Sequence, residues 1–245
     1  MRAGSRESGF RGLNRMHVTE SEVAELAGHV SCPILPEAEA ERCTAIRLPS
    51  RALILRAGEP IDQVRTIREG WAFSFRVMSD GRRQIIAFHL AGDMLGTESL
   101  LGMPAAFSVQ AITAVSICAY PAAEVPRLLR GFPEVQRHVL AVLVKDRMER
   151  EERIVALGAR LAIQSFACFV LDLYDRLRER DLLSEGGFSC PLTQEMIADA
   201  LGMTKVHVSR TLATLRRQGA LDLRGGRMVL DDIPALRRLA GHSAG

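Results

Sequence analysis

An α+β fold is predicted by three observations along the chain. Short alternating segments with Gly and Asp turns fill residues 52–120, a long helical pattern starts at Pro133, and two short helical patterns flank Gly202. Short strands at regular spacing are typical of a sandwich or barrel. We therefore expect four parts: a flexible N-terminal arm (residues 1–30), a β domain (31–130), a long helix (131–160) and a C-terminal helical domain (161–245).

Composition excludes several classes of protein. The 245 residues are 47% hydrophobic and 25% charged with a formal net charge of +3, which is ordinary for a folded protein and permits binding to nucleic acid. No apolar run is long enough to span a membrane, and no apolar stretch follows the N-terminal arginines as in a secretory leader. We expect a cytoplasmic protein.

The cysteines of the chain should be free thiols, because their number is odd and their spacings are wide: Cys32, Cys43, Cys118, Cys168 and Cys190.

The N-terminal half contains six candidate strands. They cover residues 52–55, 64–67, 72–78, 84–88, 107–112 and 115–120. The Ser-Asp-Gly turn at residues 79–81 favours a hairpin between the third and the fourth. Ahead of them, the first 30 residues are rich in Gly, Ser and Arg, with at most a short helix around residues 20–27, and the segment PEAEAERCTAIR at residues 36–47 has helical character.

The long helix should run from Pro133 to about residue 158, since proline is favoured in a first helical turn. One apolar stripe recurs at intervals of four and seven residues: Leu140, Val144, Met148 and Val155. The mixed-sign charges of residues 145–153 fit two interpretations. They form either a solvated face with ion pairs one turn apart, or the flank of a two-stranded helical seam in a homodimer.

Residues 191–230 have the pattern of a winged helix-turn-helix. Thr193 is a natural N-cap, Gly202 can end the first helix in the left-handed conformation, and a second helix follows over residues 204–218. The alternating residues on both sides of Gly225 and Gly226 predict a two-stranded hairpin, the wing.

This unit predicts binding to double-stranded DNA. Residues near the start of the second helix should reach base edges: Val206, His207, Ser209 and Arg210. Among them, Arg210 can donate two hydrogen bonds to one guanine. Contacts with the DNA backbone are expected from residues at the helix starts and the wing: Thr193, Gln194, Thr204, Lys205, Arg224 and Arg227. We therefore expect a transcription regulator and not an enzyme.

Over residues 34–240 the chain resembles the CRP/FNR family of bacterial transcription regulators. The resemblance is carried by FHLAGDMLG at residues 88–96 and by the recognition helix at 204–215. It implies a β-roll of the cyclic-nucleotide-binding type as a sensor domain, a dimerisation helix over residues 131–160 and a winged helix-turn-helix over 161–245. It also implies a homodimer that binds an inverted repeat, contacts RNA polymerase and acts as an activator.

The same resemblance locates a pocket for a small-molecule effector. Its candidate residues are Gly96, Thr97, Glu98, Ser99 and Ser108. Cyclic-nucleotide binders in the family hold the phosphate with an arginine of this region, but no arginine lies between Arg83 and Arg127. An anionic phosphate buried without its cation would bind poorly, so cyclic AMP is not the expected effector.

The sequence predicts no cofactor, and an iron–sulfur cluster and haem are the two alternatives. Cys118 lies where iron–sulfur sensors of the family place their last cysteine ligand. Only Cys32 precedes the predicted strands, with Cys43 eleven residues later, instead of three closely spaced cysteines, and four converging thiolates are needed for the cluster. Cys-Pro pairs at Cys32 and Cys190 resemble haem-regulatory dipeptides. A redox- or haem-sensing regulator that uses Cys118 or other cysteines, and a cyclic-nucleotide-binding module, remain as alternatives. We interpret His89 as structural.

The recognition helix departs from the family at one informative position. Relatives that bind a TTGAT-type half-site have glutamate three residues before the Ser-Arg pair, where this chain has Val206. Glutamate accepts a hydrogen bond from cytosine, whereas valine can only contact a thymine methyl group. The half-site should therefore keep the guanine read by Arg210 and differ beside it.

Overall fold

The computed structural model describes residues 39, 42–159, 161–184 and 186–241. The predicted N-terminal arm and the short helix at residues 20–27 lie outside these residues. Eight strands make up the first half: β1 (Thr44–Leu48), β2 (Leu53–Leu55), β3 (Gln63–Glu69), β4 (Ala72–Val77), β5 (Arg83–His89), β6 (Met94–Leu95), β7 (Ser108–Ala111) and β8 (Val115–Pro121). All six predicted strands are present.

The strands form two antiparallel four-stranded sheets, in the orders β1-β8-β3-β6 and β2-β7-β4-β5. Their alternating apolar residues meet in a core between the sheets, including Ile54, Ile67, Ala72, Val109 and Ile117. The predicted hairpin joins β4 to β5, and Gly81 has a φ of 84°, a left-handed value that suits glycine at this turn. The predicted β domain is therefore confirmed.

One local prediction was wrong. Residues 44–47 belong to the helical pattern of 36–47 but form most of β1, which pairs with β8 from Thr44↔Ala119 to Leu48↔Val115. Hydrogen bonding to a distant strand outweighs a weak local helical preference, and the β-branched Thr44 and Ile46 fit a strand. The described residues just before β1 are in a 3₁₀ turn.

Three helices follow the strands: α1 (Val125–Gly131), α2 (Pro133–Ala159) and α3 (Ala162–Arg178). Helix α2 starts at Pro133, as predicted. Its first turns pack on the β1-β8-β3-β6 sheet, where Val135 and Val139 join a buried cluster with Val64, Tyr120 and Leu128. Beyond Val139, the helix leaves this sheet.

The C-terminal unit consists of β9 (Gly187–Ser189), α4 (Gln194–Leu201), α5 (Lys205–Arg217), β10 (Leu221–Arg224), β11 (Arg227–Leu230) and α6 (Ile233–Leu239). Strands β10, β11 and β9 form one antiparallel sheet. The core between this sheet and the helices contains Phe166, Phe188, Ile197, Leu215 and Met228, all fully buried. This is the predicted winged helix-turn-helix.

The C-terminal unit packs directly on the β domain. Phe73, Ile85 and Phe88 of the second sheet belong to the same buried cluster as α3 and α4. Polar contacts reinforce the interface: Arg83 Nε donates to Asp199 Oδ2 at 2.8 Å, and Gln84 Nε2 donates to the Asp199 carbonyl at 2.6 Å. The end of α4 is therefore held against β5.

The prediction of free thiols was wrong for one pair. Cys43 and Cys118 form a disulfide, with Cα atoms 5.8 Å apart and 75 residues between them in sequence. The pairing could not be predicted from the spacing in sequence, because the two residues meet only when β1 pairs with β8. Cys168 and Cys190 take no part in this disulfide, and Cys32 lies outside the described residues.

Candidate nucleic-acid interface and effector pocket

Two threonine caps and one glycine set the angle between α4 and α5. Thr193 Oγ1 accepts a hydrogen bond from the Met196 N–H, and Thr204 Oγ1 accepts one from the His207 N–H, both at 3.2 Å. Gly202 ends α4 at φ 64°, a left-handed conformation that costs other residues energy. Because these contacts are local, the sequence was sufficient to predict both helix starts and the turn.

Helix α5 buries one face and presents the other to solvent. Val208, Leu212 and Leu215 are buried, and Thr211 turns its hydroxyl inward to the His207 carbonyl at 3.0 Å. The four residues predicted to contact bases are all exposed: Val206, His207, Ser209 and Arg210. Side chains three and four positions apart share a helix face, so Val206 and Arg210 point the same way.

Residues at the start of α3 extend this surface, and the sequence analysis missed them. Leu161, Ala162 and Ile163 line one groove together with Val206, His207, Arg210 and others on α5. Leu161 is 72% exposed although it is apolar. Nothing in the local pattern of residues 161–163 suggests a surface role, because their neighbours in this groove lie more than 40 positions later in the chain.

The wing provides a second basic edge. Strands β10 and β11 pair from Leu221↔Leu230 to Arg224↔Arg227, and the tip glycines both have positive φ. Arg224 is exposed near Asp222, at 3.9 Å, while Arg216 of α5 forms a closer ion pair with the same carboxylate. The Arg216–Asp222 pair therefore connects the recognition helix to the wing.

The predicted effector residues divide into two groups. Gly96, Thr97 and Glu98 line a pocket between the β domain and helices α2 and α3. Ser99 and Ser108 do not belong to its lining. The Ser99 hydroxyl is buried and donates to the Gly96 carbonyl at 2.6 Å, and the Ser108 hydroxyl accepts from the Ala57 N–H at 3.1 Å. Both serines stabilise loops instead.

A cluster of charged residues around the buried Arg176 lies beside this pocket, and we call it the junction cluster. It consists of Asp93, Glu149, Asp172, Arg176 and Arg180. Arg176 donates to Asp93 at 2.6 Å and lies 3.7 Å from Glu149 and 3.8 Å from Asp172. Arg180 pairs with the other oxygen of Asp93. The cluster thus connects the β domain, α2 and α3 in one place.

Burial disfavours the charged forms of both Arg176 and Glu149 in the junction cluster. Arg176 is only 6% exposed, so its charge depends on its carboxylate partners rather than on water. Burial raises the pKa of Glu149 above its ordinary value, and Arg176 opposes this shift only in part. Sequence reasoning missed the cluster because Asp93 and Arg176 are 83 residues apart.

Two family models match the chain. The cyclic nucleotide-binding domain matches residues 45–131, and the Crp-like helix-turn-helix domain matches residues 166–239. The nitrogen fixation regulation protein FixK of Bradyrhizobium diazoefficiens is 34% identical over 169 residues, which cover 67% of this chain and 69% of that protein. The chain belongs to the CRP/FNR family of transcription regulators.

Other relatives agree with this placement. Electron transport regulator A of Shewanella oneidensis is 26% identical over 190 residues, covering 78% of this chain and 76% of that protein. The solved structure of FixK2 from Bradyrhizobium japonicum is 30% identical, with a TM-score of 0.73, and the match covers 82% of this chain and 99% of that one. The relatives named here are regulators rather than enzymes. The protein is thus a CRP/FNR-type regulator with a helix-turn-helix DNA-binding domain.

The basic side chains in the pocket of this CRP/FNR regulator come from the helical region and not from the β domain. The segment between Arg83 and Arg127 contains no arginine, but Lys145 and Arg150 of α2 line the pocket together with Arg176 and Arg180. All four already pair with carboxylates: Arg176 and Arg180 with Asp93, Lys145 with Glu179, and Arg150 with Asp146. The pocket is therefore not devoid of positive charge, although the family's phosphate-binding arginine is missing.

Two further findings concern the described residues alone. They contain no group of three or more His, Cys, Asp and Glu side chains placed to hold a metal ion. No helix among them is long and apolar enough to cross a membrane. His89 is buried at the end of β5, where it pairs with Ala72 of β4 and contributes to the pocket wall.

Proposed function

We propose that this regulator binds an inverted-repeat operator as a homodimer and that Arg210 reads a guanine in each half-site. The single observation that carries the proposal is the exposed face of α5, where Val206, Ser209 and Arg210 point away from the domain core. Helices of this type lie in the major groove, and the two half-sites of a dimer are about one helical turn, ~34 Å, apart.

The identity of these side chains supports a specific half-site. The Arg210 guanidinium can donate to O6 and N7 of one guanine, and the Ser209 hydroxyl can bond to a base or a phosphate. Val206 has no hydrogen-bonding group and is 59% exposed, so it is suited to the methyl group of a thymine. We therefore expect the half-site to differ from TTGAT next to the guanine.

Phosphate contacts would fix the orientation on the duplex. Polar and basic residues surround the base-reading face: Thr193, Gln194, Thr204, Lys205, Arg224 and Arg227. The two threonine hydroxyls already accept from helix N–H groups, so their remaining capacity is to donate to a phosphate oxygen. The N-termini of α4 and α5 add favourable backbone dipoles for an anion.

The proposed dimer would form along α2. Three residues of the predicted stripe are largely exposed despite their apolar character: Leu140 at 56%, Val144 at 53% and Met148 at 57%. Such a row on one helix is typical of a two-stranded interface. Ion pairs between Asp146 and Arg150 and between Arg147 and Glu151 lie alongside. The side chain of Val155, the fourth stripe residue, is outside the described part.

A small molecule in the pocket beside the junction cluster would shift the dimer between arrangements of different DNA affinity. It can do so only if it binds the two arrangements unequally. We propose that the output is activation through contact with RNA polymerase, as in the family. Cyclic AMP is not the proposed effector, because the family's phosphate-binding arginine is missing from the β domain.

Selection of preferred duplexes from random DNA, followed by gel shifts, tests this function. We expect an inverted repeat with one guanine per half-site for the wild type. Arg210→Met should lose the guanine preference and bind the selected operator about 5- to 150-fold more weakly, because a bidentate arginine–guanine pair contributes about 1–3 kcal/mol. Arg238→Met, an exposed arginine on α6, should bind like the wild type.

The same assay tests the dimer. Val144→Glu should abolish binding to the inverted repeat and yield monomers in analytical ultracentrifugation. Val77→Glu is the matched control, since Val77 is 60% exposed on the β4–β5 hairpin and away from α2. Selected sites without twofold symmetry, or an Arg210→Met variant that still prefers guanine, would contradict the proposal.

A further inference from the structure

Cys43 and Cys118 meet where the start of β1 lies against β8, and Cys43 is the less buried of the two. In the register of β1 with β8, Ala45 is opposite Cys118, so Cys43 is its diagonal neighbour on the same face of the sheet. Their Cα distance of 5.8 Å lies in the ordinary range for a disulfide. The fold therefore holds two sulfurs within bonding reach.

The two sulfurs differ in accessibility. Cys43 is half-buried at the start of the edge strand β1, whereas Cys118 is 2% exposed and lines an apolar cavity beneath α1 and α2. A small oxidant can reach Cys43 first, and Cys118 is then the nearest thiol that can react with it. This is the usual arrangement of an oxidised cysteine beside a resolving one.

The remaining described thiols are poorly suited to oxidation. Cys190 is 1% exposed, so an oxidant cannot reach it as it can reach Cys43, and burial raises its pKa to about 11. The Cys168 thiol is partly buried in α3 and donates to the Ala240 carbonyl at 3.5 Å. Neither of the two forms a disulfide in the described part of the chain, whereas Cys118 lies within bonding reach of Cys43.

The disulfide also secures a charged contact next to the dimerisation helix. Glu39, four residues before Cys43, is buried; its carboxylate accepts from Tyr120 Oη at 2.9 Å and from Arg127 at 2.6 and 3.0 Å. Arg127 belongs to α1, which leads directly into α2. A bond between Cys43 and Cys118 therefore limits how far the segment that carries Glu39 can move away from α1.

We propose that Cys43 and Cys118 form a reversible thiol–disulfide switch that responds to hydroperoxides and that strengthens DNA binding in its oxidised form. The Cys43 thiolate attacks the O–O bond of hydrogen peroxide, which gives a sulfenic acid and, after protonation, one water. The Cys118 thiolate then attacks that sulfur, the S–S bond forms and a second water leaves. Two thiols lose two electrons and two protons, and a dithiol reductant reverses the change.

The oxidised form holds the Glu39 contact and α1 in place, so the start of α2 is ordered before the dimer forms. Preorganisation of this kind lowers the entropy lost on association. Closing a loop across 75 residues also restricts the unfolded chain, so the oxidised protein should melt at least about 5 °C higher than the reduced one.

Peptide mapping of the full-length protein tests the chemistry. The reduced protein is treated with hydrogen peroxide, alkylated and digested, and linked peptides are identified by mass spectrometry. Wild type and Cys168→Ser should both yield the Cys43–Cys118 link, and Cys43→Ser should not. Cys118→Ala is the second variant, because the half-buried Cys43 should then react without forming the link. Absence of the link in wild type, or a dominant link to Cys32, would overturn the proposal.

Operator affinity tests the switch and rests on the proposed function. We expect oxidised wild type and oxidised Cys168→Ser to bind the selected operator at least about threefold more tightly than their reduced forms, and Cys43→Ser to bind equally in both conditions. A link that forms without any change in affinity or melting temperature would overturn the switch. If no form binds DNA, the proposed function fails, while the peptide map and the melting temperatures still decide whether the pair is redox-responsive.

Discussion

The recognition helix and the junction cluster both depend on arginine, but they use it in opposite environments. Arg210 is exposed on α5, whose start is set by local caps at Gly202 and Thr204. Arg176 is buried, and its partners come from three separate elements. An exposed arginine is available to a partner molecule, whereas a buried one is committed to its own chain. The difference shows why one region was predicted and the other was not.

The exposed arginine should matter mainly for binding, and the buried one mainly for folding stability. Removing an exposed charge alters binding with little effect on folding, because water solvates both states. Removing the partner of a buried charge leaves that charge without compensation. Three predictions sharpen this contrast, and they run from the largest expected effect to the smallest.

The first concerns Asp93, the carboxylate shared by Arg176 and Arg180. Asp93→Ala should lower the free energy of unfolding by about 3 kcal/mol, because it leaves the buried Arg176 with only its two longer ion pairs and its hydrogen bond to the Phe88 carbonyl. Denaturant titration followed by circular dichroism measures the change. The matched control is Asp80→Ala at the exposed β4–β5 turn, where the ion pair with Arg82 is open to solvent. If both variants lowered the free energy of unfolding equally, the proposed difference between buried and exposed ion pairs would be wrong.

The second concerns the cap of the recognition helix. Thr204→Ala should lower the free energy of unfolding by about 1 kcal/mol, because the His207 N–H loses its acceptor. Thr204→Ser keeps the hydroxyl and should retain nearly all of the stability in the same titration. If serine and alanine behave alike, the methyl group rather than the cap matters at this position.

The third uses the buried Glu39 and the partly buried Glu149, whose pKa values shift in opposite directions. Hydrogen bonds from Arg127 lower the pKa of Glu39 below 4.5, so its stabilising effect is complete above that pH and is lost as the pH falls through the lower value. Burial raises the pKa of Glu149 above 4.5, so ionised Glu149 costs stability at neutral pH, and that cost disappears as the pH falls toward 4.5.

Two variants separate these effects. Glu39→Gln should be less stable than wild type at pH 7, with a difference that shrinks below pH 4.5. Glu149→Gln should be at least as stable as wild type at pH 7 and should lose that advantage as the pH falls toward 4.5. Denaturant midpoints measured between pH 3 and pH 8 check both trends. The same sign of change at neutral pH for both variants would contradict the opposed shifts.

Prediction from sequence succeeded where neighbours in the chain are also neighbours in space. The caps at Thr193 and Thr204, the turn at Gly202 and the wing depend on contacts within a few residues. The same reasoning failed for residues 44–47, which look helical locally but become an edge strand through pairing with β8. It also missed Leu161 beside the recognition helix, because a single apolar residue at a helix start has no distinctive pattern.

The sequence by itself determined six strands of the first half, the exposed side chains of α5 and the apolar stripe on α2, since helix and strand periods are local properties of the chain. Only the tertiary structure decided that Ser99 and Ser108 serve loops, that Arg176 closes the pocket opposite Gly96, and that Cys43 meets Cys118. These contacts join residues far apart in sequence. Buried charges and thiol pairs depend on which elements pack together, and no local pattern encodes that choice.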